Sequence, residues 1–192
     1  MIKSFDDVLS GDIILTRNGT WLSKTIRWVT KLQTGKADYS HAAVGLGRGL
    51  VIEALWKITI GDIKKYAGQE IQIWRLPLTD EQRRKFEFGM MQTAGGAYGL
   101  TKLPLFALDA FATQFSKLWK AKKPCFWFTS TFGITNIPVC SQLVVWGIQK
   151  FAGFDFLDEA RLDVNWKSVS PDYLQDLLNL PANKAELIFQ HP

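Results

Sequence analysis

The chain has 192 residues, 47% of them hydrophobic and 13% aromatic, with a formal net charge of +5. That length can bury a sizeable core in one unit, and the composition excludes an intrinsically disordered chain. Two cysteines and two histidines are too few for a disulfide framework or a zinc cluster, and the basic residues fall in short groups (Lys64-Lys65, Arg83-Arg84-Lys85, Lys122-Lys123) with no nucleic-acid motif, so no metal, cofactor or nucleic-acid partner is expected.

The first residues, Met1-Ile2-Lys3-Ser4-Phe5-Asp6-Asp7, are acidic and lack the basic-then-apolar build of a secretory signal, so a cytoplasmic start is expected unless a dedicated route exports the chain. Asp12 to Arg17 reads as a strand. Asn18-Gly19 turns the chain into a helix of about Trp21 to Leu32, with Leu22, Ile26 and Val29 on one side and Lys24, Arg27 and Lys31 outside. Two apolar runs around a glycine-rich turn, Ser40 to Gly45 and Gly49 to Ala54, read as a β-hairpin. With Leu46-Gly47-Arg48 as a three-residue loop, Gly45 opposes Gly49, Ala43 opposes Val51 and His41 opposes Glu53. Imidazole and carboxylate then share one face, and Ala42, Val44, Leu50 and Ile52 form the apolar other face. A slip of one residue would part His41 from Glu53.

Gln69 to Leu76 alternates polar and apolar residues as a half-buried strand that Pro77 ends, and a helix capped by Thr79 follows to about Thr93. Between residues 100 and 135 lies an aromatic-rich insertion with basic neighbours, including Phe111, Phe115, Trp119, Lys122 and Lys123. It suits an acyl pocket, a lid, a membrane-surface helix or an ordinary packed helix. Asp109 interrupts it, and its uncharged runs fall well short of the about twenty residues of a membrane span. Cys140 opens the apolar helical run to Gly147, Ser170-Pro171 has the cap-then-proline form of a helix start, and Ala185 to Phe189 reads as an edge strand. No repeat, linker or low-complexity tract divides residues 1–192, which gives one α+β domain of helices packed on a mainly antiparallel sheet.

A thiol in the first turn of a helix sits at the positive end of the macrodipole, which favours the thiolate. His191 is the penultimate residue, so His41 is the one internal imidazole that can act as base. A lone buried Cys or His usually packs a core. Cys140 at a helix start together with His41 and Glu53 on one hairpin face matches instead the nucleophile, base and orienting group of a cysteine hydrolase. A Cys125–Cys140 disulfide would consume that nucleophile, and both are read as free thiols.

The blocks Gly11-Asp12-Ile13-Ile14-Leu15-Thr16-Arg17, Ser40-His41-Ala42-Ala43-Val44-Gly45, Val51-Ile52-Glu53-Ala54, Cys140-Ser141-Gln142-Leu143-Val144 and Ser170-Pro171-Asp172-Tyr173-Leu174, in this order, resemble the circularly permuted NlpC-type papain-like cysteine hydrolases, the YiiX/YebB-like group. The resemblance spans about residues 8 to 177. It implies a papain-like fold with Cys140 as nucleophile, His41 as base and Glu53 as the third polar residue. Tyr98 resembles a tyrosine that lines the site in that family, although Gly99 stands where many relatives carry an aspartate.

The expected reaction is hydrolysis of an amide or ester through an acyl-enzyme on Cys140, with the Cys140 N–H helping to bind the oxyanion. A cell-wall peptide or similar amide is the first substrate reading. A lipid acyl group taken at a membrane surface, with Phe111 and Phe115 in the pocket, is the second. A lipid- or protein-binding module with an idle triad is the third.

Overall fold

The computed structural model describes residues 4–17, 24, 27–28, 31, 38–54, 57–96, 140–158 and 163–192. Its centre is a six-stranded sheet of β1 (Ile13–Arg17), β2 (His41–Gly47), β3 (Leu50–Ala54), β4 (Ile58–Asp62), β5 (Glu70–Arg75) and β6 (Glu186–His191), in the order β4-β3-β2-β1-β5-β6. Every neighbouring pair is antiparallel. With the helices α1 (Asp80–Met91), α2 (Cys140–Gly147) and α3 (Pro171–Asn179), the described residues form an α+β fold.

The alternation read from the sequence becomes two apolar layers, one on each side of the sheet. Ile13, Leu15, Ala42, Val44, Ile52 and Trp74 face the side covered by Phe86 and Met90 of α1, Leu143, Val144 and Val145 of α2 and Leu174 and Leu177 of α3. Ile14, Ala43, Val51, Ile71 and Ile73 face the other side, closed by Val8, Ile63, Tyr66 and Ile188. The two helix caps foreseen from the sequence, at Thr79 and Ser170, are formed. The Thr79 hydroxyl accepts from the Gln82 N–H at 3.3 Å while Gln82 reaches back to the Thr79 N–H at 3.0 Å, and the Ser170 hydroxyl accepts from the Tyr173 N–H at 3.1 Å ahead of Pro171.

The hairpin register differs from the sequence expectation. Ala43, not His41, stands opposite Glu53, Val44 opposes Ile52 and Gly45 opposes Val51. The turn is the two residues Arg48-Gly49, both with positive φ (54° and 73°), and Leu46 forms a bulge between Gly45 and Gly47. Positive φ at both central residues gives the tight turn whose twist matches the strands, and glycine is the residue that takes it without steric cost. Leu46 is consequently a buried core residue rather than part of a loop, and Leu50 is exposed rather than on an apolar face. The total slip is two residues, so His41 and Glu53 keep the same face.

β4 is an edge strand that the sequence reading did not mark. Of the helix expected near 21–32, Lys24, Arg27, Trp28 and Lys31 are described and helical, and the rest lies outside the described residues.

At the start of β1 the buried Asp12 carboxylate accepts from Arg75 Nη2 at 2.6 Å, Arg75 Nε at 3.1 Å, Arg83 Nη1 at 3.3 Å and the Leu9 N–H at 2.9 Å. Arg83 also donates to the carbonyls of Ser10 and Leu76, at 2.6 and 2.9 Å. These bonds tie the N-terminal segment to β5 and α1. Arg83, read in sequence as part of a scattered basic group, is a structural residue.

Candidate active site

Cys140 is the first residue of α2, and α2 packs on β2 and β3. The next two side chains fix its start: the Ser141 hydroxyl donates to the Val169 carbonyl at 2.7 Å, and Gln142 Nε2 donates to the Lys167 carbonyl at 2.6 Å. Buried polar side chains need partners, and here those partners also set where the first turn of α2 sits. Cys140 is buried and is a free thiol. The His41 side chain and the Ala42 and Ser141 N–H groups lie beside its sulfur, and each favours its ionised form. The β2–β3 register stops at the Ala43–Glu53 pair, which leaves the Ala42 N–H to the thiol instead of the ladder.

His41 begins β2 opposite Thr16 of β1 and is buried. Glu53 is its diagonal neighbour on β3, a separation that long side chains bridge. His41 Nε2 and Glu53 Oε2 lie 2.8 Å apart. With Nε2 engaged, Nδ1 is the ring nitrogen left for Cys140. The order of contacts is therefore thiol, imidazole, carboxylate.

Two residues that the sequence reading did not select complete this arrangement. The Tyr66 hydroxyl donates to Glu53 Oε2 at 2.5 Å, and the Lys65 ammonium donates to Glu53 Oε1. Both stand on the short 3-10 helix Ile63–Tyr66, whose start is fixed by the Asp62 carboxylate accepting from the Lys64 N–H at 2.7 Å. In the sequence Lys65 was visible only as half of the Lys64-Lys65 pair. The available signal was Glu53 itself, since a buried carboxylate needs more than one donor.

The electrostatics follow from burial set against partners. Burial lowers the proton affinity of His41, but the hydrogen bonds to Cys140 and Glu53 and the charges of both prevail and raise its pKa from 6.5 to about 9. Burial pushes the Cys140 thiol up, yet the His41 hydrogen bond and charge, with the two N–H donors, bring it below the ordinary thiol value. Burial also pushes Glu53 up, and His41, Lys65 and Tyr66 overcome it to hold the carboxyl at about 2. Tyr66 rises well above the phenol range through burial and the Glu53 charge. These directions favour the charged forms of Cys140 and His41 beside an ionised Glu53.

The segment entering β2 is held by α3. Asp172 Oδ1 accepts from the Asp38 and Tyr39 N–H groups at 2.8 and 3.0 Å, three and two residues before His41, and burial pushes the Asp172 pKa up. Tyr98, Phe111, Phe115 and Cys125, with the whole aromatic-rich insertion, lie outside the described residues.

No family model matches the chain, and no curated protein matches it. Among solved structures it is similar to the crystal structure of the metalloprotein YiiX from Escherichia coli O157:H7, of the DUF1105 group, with 20% identity and a TM-score of 0.51 over 79% of this chain and 70% of that one. The likeness is one of fold. The metal belongs to that protein's description: among the described residues here no three His, Cys, Asp or Glu side chains come together to hold a metal ion. The donor chemistry does not fit one either, because the Glu53 oxygens are taken by Lys65, Tyr66 and His41.

Proposed function

We propose that the chain is a cysteine hydrolase with a permuted papain-like fold that cleaves an amide or ester through an acyl-enzyme on Cys140. The observation that carries this reading is the contact series from Cys140 at a helix start, through His41, to Glu53. The YiiX-like fold and the order of the elements, base hairpin before nucleophile helix, support it.

In the resting pair the thiol proton resides on His41. The Cys140 sulfur attacks the substrate carbonyl carbon, and the carbonyl π electrons move to oxygen. The first N–H groups of a helix lack backbone partners within it, so in this reading the Cys140 N–H is the donor offered to that oxyanion. As the tetrahedral centre collapses, the bond to the leaving nitrogen or oxygen breaks and the His41 proton goes to it. The thioester remains. Neutral His41 then takes a proton from water, the hydroxide adds to the thioester, and the sulfur leaves as thiolate with the proton back on His41. Glu53 holds the ring through Nε2 at each stage, so Nδ1 always faces the sulfur.

A cell-wall peptide or a similar amide is the substrate class that the YiiX-like blocks favour. The test begins with iodoacetamide rates at Cys140 and Cys125 across pH. Cys140 alkylates fast at pH 6–7 in this reading, and His41→Ala abolishes the advantage. Titration of Cys140 like a free thiol near 8.5 would refute it. Intact-mass measurement after incubation with muropeptides and, separately, with phospholipid vesicles identifies the acyl donor. Cleaved muropeptides support the amide reading, whereas a long-chain acyl adduct with intact muropeptides transfers the site to lipids.

A further inference from the structure

Lys65 holds an unusual place for a lysine. Its ammonium sits on the outer oxygen of Glu53, a carboxylate 4% exposed, while the lysine side chain itself is 34% exposed. The ammonium lies 5.0 Å from the centre of the Tyr66 ring. Its route to Glu53 crosses Gly61 of the edge strand β4: a Cβ on Gly61 would stand 3.1 Å from Lys65 Nζ and 3.9 Å from Cε. Gly61 opposes Val51 and Thr59 opposes Glu53, so this approach lies on the sheet face that carries Glu53 and His41. A side chain at Gly61 would press on the end of the lysine there.

We propose that Lys65 is a positioning residue for His41: by occupying the outer oxygen of Glu53 it divides that carboxylate's charge between two cations and limits how tightly the imidazole holds its proton. The physical need is plain. A buried carboxylate facing the ring alone would bind the imidazolium proton strongly, and a base that must also return its proton to a leaving group works best with a proton affinity near the operating pH. Tyr66 also donates to Glu53, but as a neutral group on the oxygen that His41 already uses, so Lys65 is the second cation on this carboxylate. Among the described residues the titratable groups facing His41 are Cys140 from α2 and Glu53 from β3, with Lys65 and Tyr66 acting through Glu53. From β1 the residue opposite His41 is the uncharged Thr16. The catalytic meaning of this tuning rests on the hydrolase reading above, whereas the tuning itself does not.

The chain has only two histidines, so an NMR titration of the imidazole C–H signals resolves His41 from His191, and His191→Gln assigns them. The titration is run on the parent protein and on its Cys140→Ala form. Lys65→Met keeps the length of the side chain and removes the charge, and it raises the His41 midpoint by about one unit, roughly tenfold in proton affinity. Lys65→Arg retains the charge and stays within about 0.3 unit of the parent. Gly61→Val leaves every charge in the chain but crowds the ammonium off its route, and it moves the midpoint in the same direction as Lys65→Met. A midpoint that is unchanged or lower in Lys65→Met overturns the proposal, as does an unmoved midpoint in Gly61→Val should the lysine variant not fold. In the Cys140→Ala form the Lys65 dependence is read without the thiol. An ordinary Cys140 pKa in the parent therefore refutes the hydrolase and leaves the Lys65 result to stand or fall separately.

Discussion

Glu53 is where stability and reactivity can be separated by two substitutions. It accepts from His41 Nε2 at 2.8 Å, from the Tyr66 hydroxyl at 2.5 Å and from Lys65. Glu53→Ala strips the acceptor from two buried donors, at about 1–3 kcal/mol each; one of these is the imidazole of the buried charge pair, whose breakage usually costs about 3–5 kcal/mol, so the terms overlap and a loss of about 3–5 kcal/mol is expected. Lys65 adds little to this because, one third exposed, it turns to water. Glu53→Gln keeps an oxygen where Oε2 lies, so both buried donors retain an acceptor and the expected loss is about 1–2 kcal/mol. In either variant His41 loses the negative charge that helps raise its pKa to about 9, and the thiolate of Cys140 loses part of the imidazolium that stabilises it. Urea unfolding gives the stability differences, and the pH profile of Cys140 alkylation gives the reactivity. The acid limb should move up by about one unit in Glu53→Gln and Glu53→Ala, with substrate turnover partly kept in the former and lower in the latter. Glu53→Ala within about 1 kcal/mol of the parent and an unmoved alkylation profile would show that Glu53 neither anchors the cluster nor orients His41.

The pH dependence of stability carries a second signature. The folded pKa of Glu53, about 2, is below its ordinary 4.5, so its contribution is present above pH 4.5 and is lost as the pH falls through 2; that of His41, raised from 6.5 to about 9, is present below 6.5 and lost as the pH rises through 9. Urea midpoints should be highest between those windows and Glu53→Gln should flatten both limbs, so an unchanged pH dependence in that variant counts against the assignment. Asp12→Ala should cost about 3–5 kcal/mol by stranding Arg75 and Arg83, yet leave the alkylation profile alone, because about 13 Å of strand separates residue 12 from the Thr16–His41 pair. A shift in that profile would mean that the two clusters are coupled. Phe111→Ser with Phe115→Ser should reduce turnover of a lipid acyl donor without slowing Cys140 alkylation if the insertion forms an acyl pocket, whereas a fall in melting temperature with both rates lowered would make those residues core.

What the sequence determined by itself was local. Thr79-x-x-Gln82 and Ser170-Pro171 mark helix starts through bonds that span three residues, so their caps were legible without any tertiary information. The common face of His41 and Glu53 was legible for a related reason: strand side chains alternate with period two, and the two-residue slip produced by the Arg48-Gly49 turn and the Leu46 bulge preserves parity. The register itself was not legible, since two- and three-residue loops suit the same glycines, and packing Leu46 into the core belongs to the turn that formed.

Only the tertiary structure brought Cys140, 99 residues from His41 in the numbering, to the open end of the β2–β3 ladder, where the Ala42 N–H is free to meet its sulfur. It alone turned Lys65 and Tyr66 back onto Glu53 and gathered Arg75 and Arg83 on Asp12. A buried charge has to find its partners wherever the packed layers deliver them, and that place is set by the order of strands and the seat of each helix rather than by spacing along the chain.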